Sequence, residues 1–322
     1  MKEKMTPDLS VVYPMSVDNM ASVMSMADAV RHGPFHRLWF GQSLMVDPVA
    51  AMHWLLGAGY DIPFGLGVGL IPVRTPFETA LAISTLARMT DQRITYGLGV
   101  SEPLMVGALH GDPYASPTRA ATEFIGAVRA VLGREPGEQL ERPEYYHDPV
   151  VRLTDVATDS VEIGLGALSP KLATVAGASA DALIPWMTPP YRLAQLVDKA
   201  AAAADDAGRP APRTAVCVPI IADSKEWATG AFKACALHGS RDHYRKMFVE
   251  SGITWDPDSP HRTGESLVEA NLVLVAGRDL AEGVAAYAAA GADEVFLNPF
   301  GIIRRTGSVD RAVALLEGGV LK

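Results

Sequence analysis

Three stretches of the sequence combine glycine with small or hydroxyl-bearing residues where predicted strands end, and such residues could hold a flat or anionic ligand. The first has alternating glycines at positions 65, 67 and 69, the second is residues 97–101, and the third is residues 164–169. Glycine inside a strand often marks the close approach of a ligand or of another backbone. A flat ring could therefore lie against a bulged third strand, although tight packing of small residues would give the same pattern.

The third stretch is the most specific, because it contains the signals of a helix start. Gly166, Ala167 and Leu168 lead into Ser169 and Pro170. Serine is a favourable N-cap, and proline is favoured at the first helical position. Backbone amides at a helix amino terminus that follows a barrel strand form a natural phosphate site. We therefore predict a phosphate-binding helix start here, with an ordinary loop as the alternative.

The second stretch is followed directly by an acid. Ser101 is expected to cap a short helix that begins with Glu102 and Pro103. The carboxylate of Glu102 could reach the carboxyl ends of the strands, or it could only favour the dipole of that helix. Both roles stay open from the residues alone.

Strand-like and helix-like segments alternate along the chain, and these elements must position the residues above. Strands are predicted at residues 9–14, 36–41, 62–69, 93–99, 161–165, 181–185, 214–221 and 293–298. Helices are predicted at residues 18–31, 47–57, 77–89, 118–132, 170–178, 191–208 and 280–291, with the first two capped by Asp18 and Asp47. The alternation indicates parallel βαβ units, and eight of them favour a closed (β/α)8 TIM barrel over an open sheet.

Two insertions interrupt the repeat, at about residues 102–159 and 225–271. The second is expected to hold two helices and an irregular segment at residues 251–264. Insertions on βα loops build and cover the active sites of barrels. We predict a single barrel domain over residues 1–322, with its site at the carboxyl ends of the strands.

Composition excludes several classes of protein. The net charge of −9 argues against nucleic acid and anionic membranes as partners. Cys217 and Cys235 are too few for a disulfide framework, so a reducing cytoplasm is expected. The first ten residues lack the apolar core of a signal peptide, and no apolar run is long enough to span a bilayer. The histidines lack metal-ligand spacing, and the common hydrolase and kinase motifs do not occur.

Taken in order, several motifs resemble the luciferase-like flavin and deazaflavin oxidoreductases over nearly the whole chain. The segments that resemble the central signature and the phosphate-binding half of that superfamily are residues 72–76, 80–82, 85–86, 93, 97–99, 167–171, 175–177, 180–181 and 186–188. The segments that resemble the subgroup using coenzyme F420 are residues 207–210, 244–247 and 298–301.

The resemblance implies a role for particular positions. Val68 and Gly69 fall where the family has a non-prolyl cis peptide behind the deazaflavin ring. Gln42 and Ser43 fall where many deazaflavin enzymes carry Asp and His, so the usual histidine near the reactive carbon is missing. The cofactor-binding set implied in this way is Gln42, Val68, Gly69, Gly99, Ser101, Gly166, Ala167, Leu168 and Ser169.

The same resemblance implies an F420-dependent oxidoreductase. It would transfer hydride between the deazaflavin and an electron-poor C=C or C=N bond of a small organic substrate. The alternatives are an FMN-dependent luciferase-like monooxygenase and a non-catalytic luciferase-like barrel subunit. A homodimer is expected, with no nucleic acid, membrane or metal partner.

Such a reduction also needs a proton. The candidates are Glu102 after strand four, Tyr13 at the end of strand one, and His110 on the loop that follows. Burial between ring and substrate would raise the pKa of Glu102 toward neutrality, whereas a helix start favours its charged form.

Overall fold

The computed structural model describes residues 6–14, 20–42, 45–134, 142–147, 151–154, 159–278 and 280–320. Its strands are β1 (Asp8–Tyr13), β2 (Leu38–Phe40), β3 (Phe64–Leu70), β4 (Ile94–Gly99), β5 (Val161–Gly166), β6 (Ala182–Ile184), β7 (Arg213–Ala222), β8 (Leu274–Ala276) and β9 (Glu294–Asn298). The cap predicted at Asp18 and the position of Ser43 lie outside the described residues.

One or more helices lie between most successive strands. They are α1 (Met20–His32), α2 (Pro48–Gly57), α3 (Pro76–Met89), α4 (Pro103–His110), α5 (Pro117–Val131), α6 (Pro170–Ser179), α7 (Pro190–Asp206), α8 (Trp227–Gly239), α9 (Asp242–Glu250), α10 (Pro260–Glu269), α11 (Leu280–Ala289), α12 (Phe300–Thr306) and α13 (Val309–Val320). A short 3-10 helix, Ile71–Val73, follows β3. Within the described part of the chain, no helix combines the length and apolar character needed to cross a membrane.

Hydrogen bonding places the strands in the order β6-β5-β4-β3-β2-β1-β9-β7-β8, and β6 also pairs with β7. Eight parallel strands therefore form a closed ring, which confirms the predicted (β/α)8 TIM barrel. The prediction of eight strands was incomplete, because β8 pairs in parallel with Ile220–Ala222 at the end of β7. The strand lies in the apolar run at residues 272–276, but a short apolar run does not by itself distinguish a strand from a buried helix.

The chain divides into two compact units. The first unit comprises residues 1–39, 185–197 and 214–322, and the second comprises residues 40–184 and 198–213. In the first unit, the indole of Trp39 stacks on Phe296 and donates a 2.6 Å hydrogen bond to Glu294. Glu294 also pairs with Arg37, and both side chains are almost fully buried. This buried charge pair is acceptable only because each partner is compensated by the other.

Two carboxylates organise charged side chains in the second unit. Asp181 accepts hydrogen bonds from Arg129 at 2.8 Å and from Arg209 at 3.2 Å. Glu162 accepts from Arg213 at 2.8 Å and from the hydroxyl of Thr95 at 2.7 Å. These pairs tie strands to helices within the unit, so the acids are structural.

The second insertion differs from its prediction. It contains three helices, α8 to α10, and α10 begins at Pro260 inside the segment predicted to be irregular. A Cβ at Gly264 would lie 1.8 Å from the carbonyl oxygen of Ala228, so the glycine lets α10 pack directly on α8. The glycine, proline and serine in residues 251–264 are typical of a loop, and tertiary packing overrode that local preference.

Both cysteines are buried, free thiols in the first unit. Cys217 lies within β7 and Cys235 within α8, and neither is exposed to solvent. Burial raises the pKa of both thiols well above the usual value.

Candidate active site

A bulge in β3 is the first feature of the site. β3 pairs in parallel with β4, but the register shifts between Leu66 and Gly69. The predicted non-prolyl cis peptide is present, yet it joins Gly67 to Val68 rather than Val68 to Gly69. Val68 has a glycine on each side, Gly67 and Gly69, so the sequence did not show which of its two peptide bonds is cis.

Val68 occupies the space that the glycines of β4 and β5 leave open. A Cβ at Gly99 would lie 2.4 Å from one Val68 methyl group, and Cβ atoms at Gly97 and Gly166 would lie 3.0 and 3.1 Å from the other. A Cβ at Gly69 would instead meet the side chain of Leu66 at 2.9 Å. Tight packing therefore accounts for Gly69, Gly97, Gly99 and Gly166. Val68 itself is only half-buried, so it offers an apolar surface on its remaining side.

The helix start after β5 has the predicted form. Ser169 is the N-cap of α6, its hydroxyl accepts a 3.3 Å hydrogen bond from the amide of Leu172, and Pro170 begins the helix. Amides in the first turn of a helix have no intrahelical acceptor, and the positive end of the helix dipole adds to them. Lys171 in that turn is exposed. Residues 166–171 can thus bind an anion through amides and one cation.

The turn after β4 differs from its prediction. Ser101 has a positive φ of 67°, and the N-cap of α4 is Glu102, which makes no side-chain capping bond. Ser101 therefore does not cap the helix. An N-cap residue needs extended backbone angles, which Ser101 lacks and Glu102 has. Glu102 is half-buried, as a proton donor near a substrate would be.

The other two proton-donor candidates lie elsewhere. The prediction that His110 lies on a loop is wrong, because it is the last residue of helix α4. Its imidazole is exposed, and its Nε2 lies 2.8 Å from the carbonyl oxygen of Pro72. At 1.5 Å per residue, α4 separates it from Glu102 by roughly 12 Å. Tyr13 is the last residue of β1 in the first unit and is 2% exposed. The structure thus does not bring Glu102 and His110 together, and all three roles stay predictions.

Sequence reasoning missed the contacts that surround the end of β3. Arg74 pairs with Asp47, so the residue after the 3-10 helix is tied to the N-cap of α2. The hydroxyl groups of Tyr114 and Tyr146 contact each other. The sequence had marked Asp47 only as a cap, and the partners of each pair are more than 25 residues apart. Local patterns therefore carried no signal for these pairs. Gln42, which follows β2, is half-buried.

Three solved structures share this fold over nearly the whole chain. An F420-dependent secondary alcohol dehydrogenase in complex with an F420-acetone adduct has a TM-score of 0.71 at 17% identity, with 98% of both chains covered. The coenzyme F420-dependent tetrahydromethanopterin reductase of Methanopyrus kandleri gives 0.66 at 16%, again with 98% of both covered. The FMN complex of the oxygenating constituent of 3,6-diketocamphane monooxygenase, from Pseudomonas putida, gives 0.66 at 15% and 98% of both. At such identities the likeness shows the fold alone.

Sequence comparison is more specific. The "Putative coenzyme F420-dependent oxidoreductase" of Mycobacterium tuberculosis (strain ATCC 25618 / H37Rv) is 25% identical over 168 residues. That match covers 49% of this chain and 48% of the relative, so the chain spans about half the length of the curated relative it matches. The family described as luciferase-like monooxygenase matches residues 8–294. Because this match includes β1, the bulge of β3 and the helix start after β5, and ends at the first residue of β9, the chain belongs to the luciferase-like monooxygenase family.

Proposed function

We propose that this chain is an F420-dependent oxidoreductase that transfers hydride between the deazaflavin and an electron-poor C=C or C=N bond of a small organic substrate. The observation that carries the proposal is the packing of the Val68 side chain. Glycines of β4 and β5 hold its methyl groups, and its half-buried side can support a flat ring. The F420-dependent relative and the F420-dependent fold neighbours support the choice of cofactor.

The residues of the second unit fit the parts of this cofactor. Val68 would lie behind the ring, and the amides of residues 166–169, with Lys171, would hold the phosphate at the start of α6. When bound, reduced F420 supplies the hydride. The protein's part is to hold the ring and the substrate face to face, to exclude water and to deliver a proton.

Proton delivery falls to Glu102 in this proposal. It follows β4 directly and is half-buried at the start of α4. A carboxylic acid in the proton-donating role must be protonated when the substrate is bound, which an apolar substrate beside it would favour by desolvation. His110 is less suited, because the exposed imidazole is held by the carbonyl group of Pro72.

The competing cofactor is FMN, since a neighbour with the same fold binds it. Titration of the purified protein with F420, FMN and FAD, followed by fluorescence quenching, separates the two assignments. We expect F420 to bind at least tenfold more tightly than FMN, a difference of about 1.4 kcal/mol. Tighter binding of FMN would favour a monooxygenase and would reject the deazaflavin.

A further inference from the structure

Little packing holds helix α4 to the rest of the second unit. All eight of its residues are described, and of these Val106 alone is buried. Leu104 is 85% exposed and Leu109 is 51% exposed. A helix of this length is marginal by itself, and an element with few buried apolar contacts opens with a small change in free energy. Helix α4 can therefore move without disturbing the core of the unit.

Residues with a positive φ flank α4 on both sides. Ser101, just before the N-cap, has a φ of 67°, and Gly111, directly after the helix, has a φ of 92°. A positive φ is uncommon for a residue with a side chain, and such residues cluster where a protein changes conformation. A Cβ at Gly111 would meet nothing within 4 Å, so packing does not fix its angles. Both positions are suited to be hinges, which are a few residues at the ends of a moving element.

Both ends of α4 lie close to the bulge of β3. On the amino-terminal side, Gly99 ends β4 against Val68, because a Cβ at Gly99 would lie 2.4 Å from a Val68 methyl group. On the carboxyl-terminal side, Nε2 of His110 lies 2.8 Å from the carbonyl oxygen of Pro72, which follows β3. An eight-residue helix is only about 12 Å long. Helix α4 therefore runs beside the surface that Val68 offers, within the same unit.

Leu104 is the side chain that a movement of α4 can bury. A single exposed leucine is ordinary, but this one lies on a weakly packed helix between two hinge positions, beside the proposed ring. Burial of a leucine side chain changes an equilibrium constant by about tenfold or more. A flat ring on Val68 has one face against Val68, and its other face can be covered by Leu104.

We propose that α4 is a lid. It turns about Ser101 and Gly111, closes over the deazaflavin ring on Val68, and buries Leu104 in the process. This inference deepens the proposed function, on which it rests, by adding a closing step that excludes water from the site. Glu102 is the N-cap of α4 and moves with the helix, so closure and the placement of the proposed proton donor are one event.

The first test measures how accessible position 104 is, without any assay of activity. Leu104→Cys introduces a thiol that iodoacetamide can alkylate, and the native Cys217 and Cys235 do not interfere because both are buried. We expect saturating F420 to slow alkylation at position 104 by about tenfold or more. Leu237→Cys on α8 is the matched control, since Leu237 is 67% exposed, and its rate should not change. An unchanged rate at position 104 with F420 bound overturns the proposal.

The second test separates movement from simple contact, because a bound ring could cover position 104 while α4 stays in place. Nitroxide labels on Leu104→Cys and Asp91→Cys, two exposed positions of the second unit, are measured by double electron–electron resonance after dilution with unlabelled protein. We expect F420 to change the distance between them by about 5 Å, the length of one helical turn. Labels on Asp91→Cys and Thr174→Cys on α6 are the control and should keep their distance. Slower alkylation without a change of distance rejects the lid.

These outcomes distinguish the lid from the proposed function. Fluorescence quenching reports F420 binding separately, so binding of F420 without closure of α4 rejects the lid alone. If FMN binds in its place and closes α4, the cofactor assignment is wrong and the lid stands; if neither binds, both proposals are wrong. Protection at position 104 that depends on protein concentration instead of F420 would show that a second copy of the chain covers α4, and would also reject the lid.

Discussion

Val68 packs against a surface that only glycine can provide. Its methyl groups fill the positions that side chains at Gly97, Gly99 and Gly166 would otherwise take. This contact fixes the position of the Val68 side chain, which forms the apolar surface behind the proposed ring. A single methyl group added at one of these glycines should therefore change the affinity for the cofactor.

The change to test is Gly99→Ala. The new Cβ would lie 2.4 Å from a Val68 methyl group, so Val68 must move toward the ring position. We expect F420 affinity to fall by at least tenfold, about 1.4 kcal/mol, in a fluorescence titration. Overpacking of this kind also costs about 1–3 kcal/mol of stability, which a denaturant titration measures.

Two controls assign the effect to Val68. Gly57→Ala adds the same methyl group where nothing lies within 4 Å, so it should change neither affinity nor fold. In a Val68→Ala background, Gly99→Ala should cost little further affinity, because the two residues are coupled through one contact. An undiminished loss in that background would show that Gly99 acts without Val68.

Glu102→Gln tests the proton donor. The change keeps the size and most of the hydrogen bonding of the side chain but removes the acid. If Glu102 donates the proton, turnover should fall by about 10²- to 10⁴-fold, while F420 binding is preserved. Unchanged turnover, together with a deuteride isotope effect showing that chemistry limits the rate, would exclude Glu102 as the proton donor. Tyr13 or solvent would then be the remaining candidates.

Residue-level features were predictable where a local rule fixes them. The serine and proline at the start of α6 define a cap by themselves, and the structure confirms that cap. No such local rule fixes the cis peptide or the positive φ of Ser101, and the predictions placed the cis bond and the cap of α4 one residue away from where they lie.

Among the elements, helix α5 holds residues 144–146 of the first insertion through one carboxylate. Glu123 accepts hydrogen bonds from the amides of Glu144, Tyr145 and Tyr146 at 2.7–3.0 Å, and from Arg119 at 2.9 Å. Its side chain is 2% exposed. Desolvation alone would raise the pKa of Glu123, but these hydrogen bonds outweigh it and the pKa is lowered.

Replacement of Glu123 by Gln should release this segment. The amide nitrogen cannot accept the bonds, and the loss of a buried, charge-assisted cluster should reduce the free energy of unfolding by about 3 kcal/mol. Hydrogen exchange at residues 144–146 should accelerate together with the loss of stability. Glu144→Gln is the control, because its contact with Arg119 is half-exposed and should contribute at most about 0.5 kcal/mol.

The same variant carries a dependence on pH. A carboxyl group with a lowered folded-state pKa stabilises the protein above its unfolded pKa of about 4.3, and this contribution is lost as pH falls through the folded value. The stability difference between wild type and Glu123→Gln should therefore be full at pH 7 and shrink below about pH 4. A constant difference down to pH 3 would assign the effect to packing alone.

The order of the elements was largely predictable from the sequence, with two exceptions. The long periodic helices and apolar strands appear within a few residues of their predicted bounds. The three-residue strand β8 and the glycine-containing helix α10 did not, because pairing and packing partners distant in sequence stabilise them. The hydrogen bonds between Glu123 and the amides of residues 144–146 likewise join partners that are distant in sequence.

At the scale of the whole molecule, an apolar surface on α2 and α3 suggests how copies of the chain associate. Four large side chains of the second unit are 37–48% exposed there: Trp54, Phe77, Leu81 and Met89. Aromatic residues and methionine are enriched in protein interfaces. We therefore propose that the expected homodimer forms through this surface.

Leu81→Glu should weaken the dimer by at least tenfold, about 1.4 kcal/mol, because it places a charge in the apolar contact. Light scattering after gel filtration should give twice the 34.3 kDa chain mass for wild type and a lower mass for the variant at low concentration. Leu315→Glu on α13 is the matched control, since Leu315 is 43% exposed and Leu81 is 48% exposed. A dimer disrupted only by Leu315→Glu would move the interface to α13.

Because both of its thiols are buried, the native protein should not react with sulfhydryl reagents. Cys217 and Cys235 are fully shielded, and a thiol with a raised pKa supplies almost no thiolate, the reactive form. A maleimide dye should therefore label only a cysteine introduced on the surface, with neither native residue replaced. In the unmodified chain, each thiol should react with Ellman's reagent only when the structure around it opens, so a colorimetric measurement would report unfolding without a denaturant.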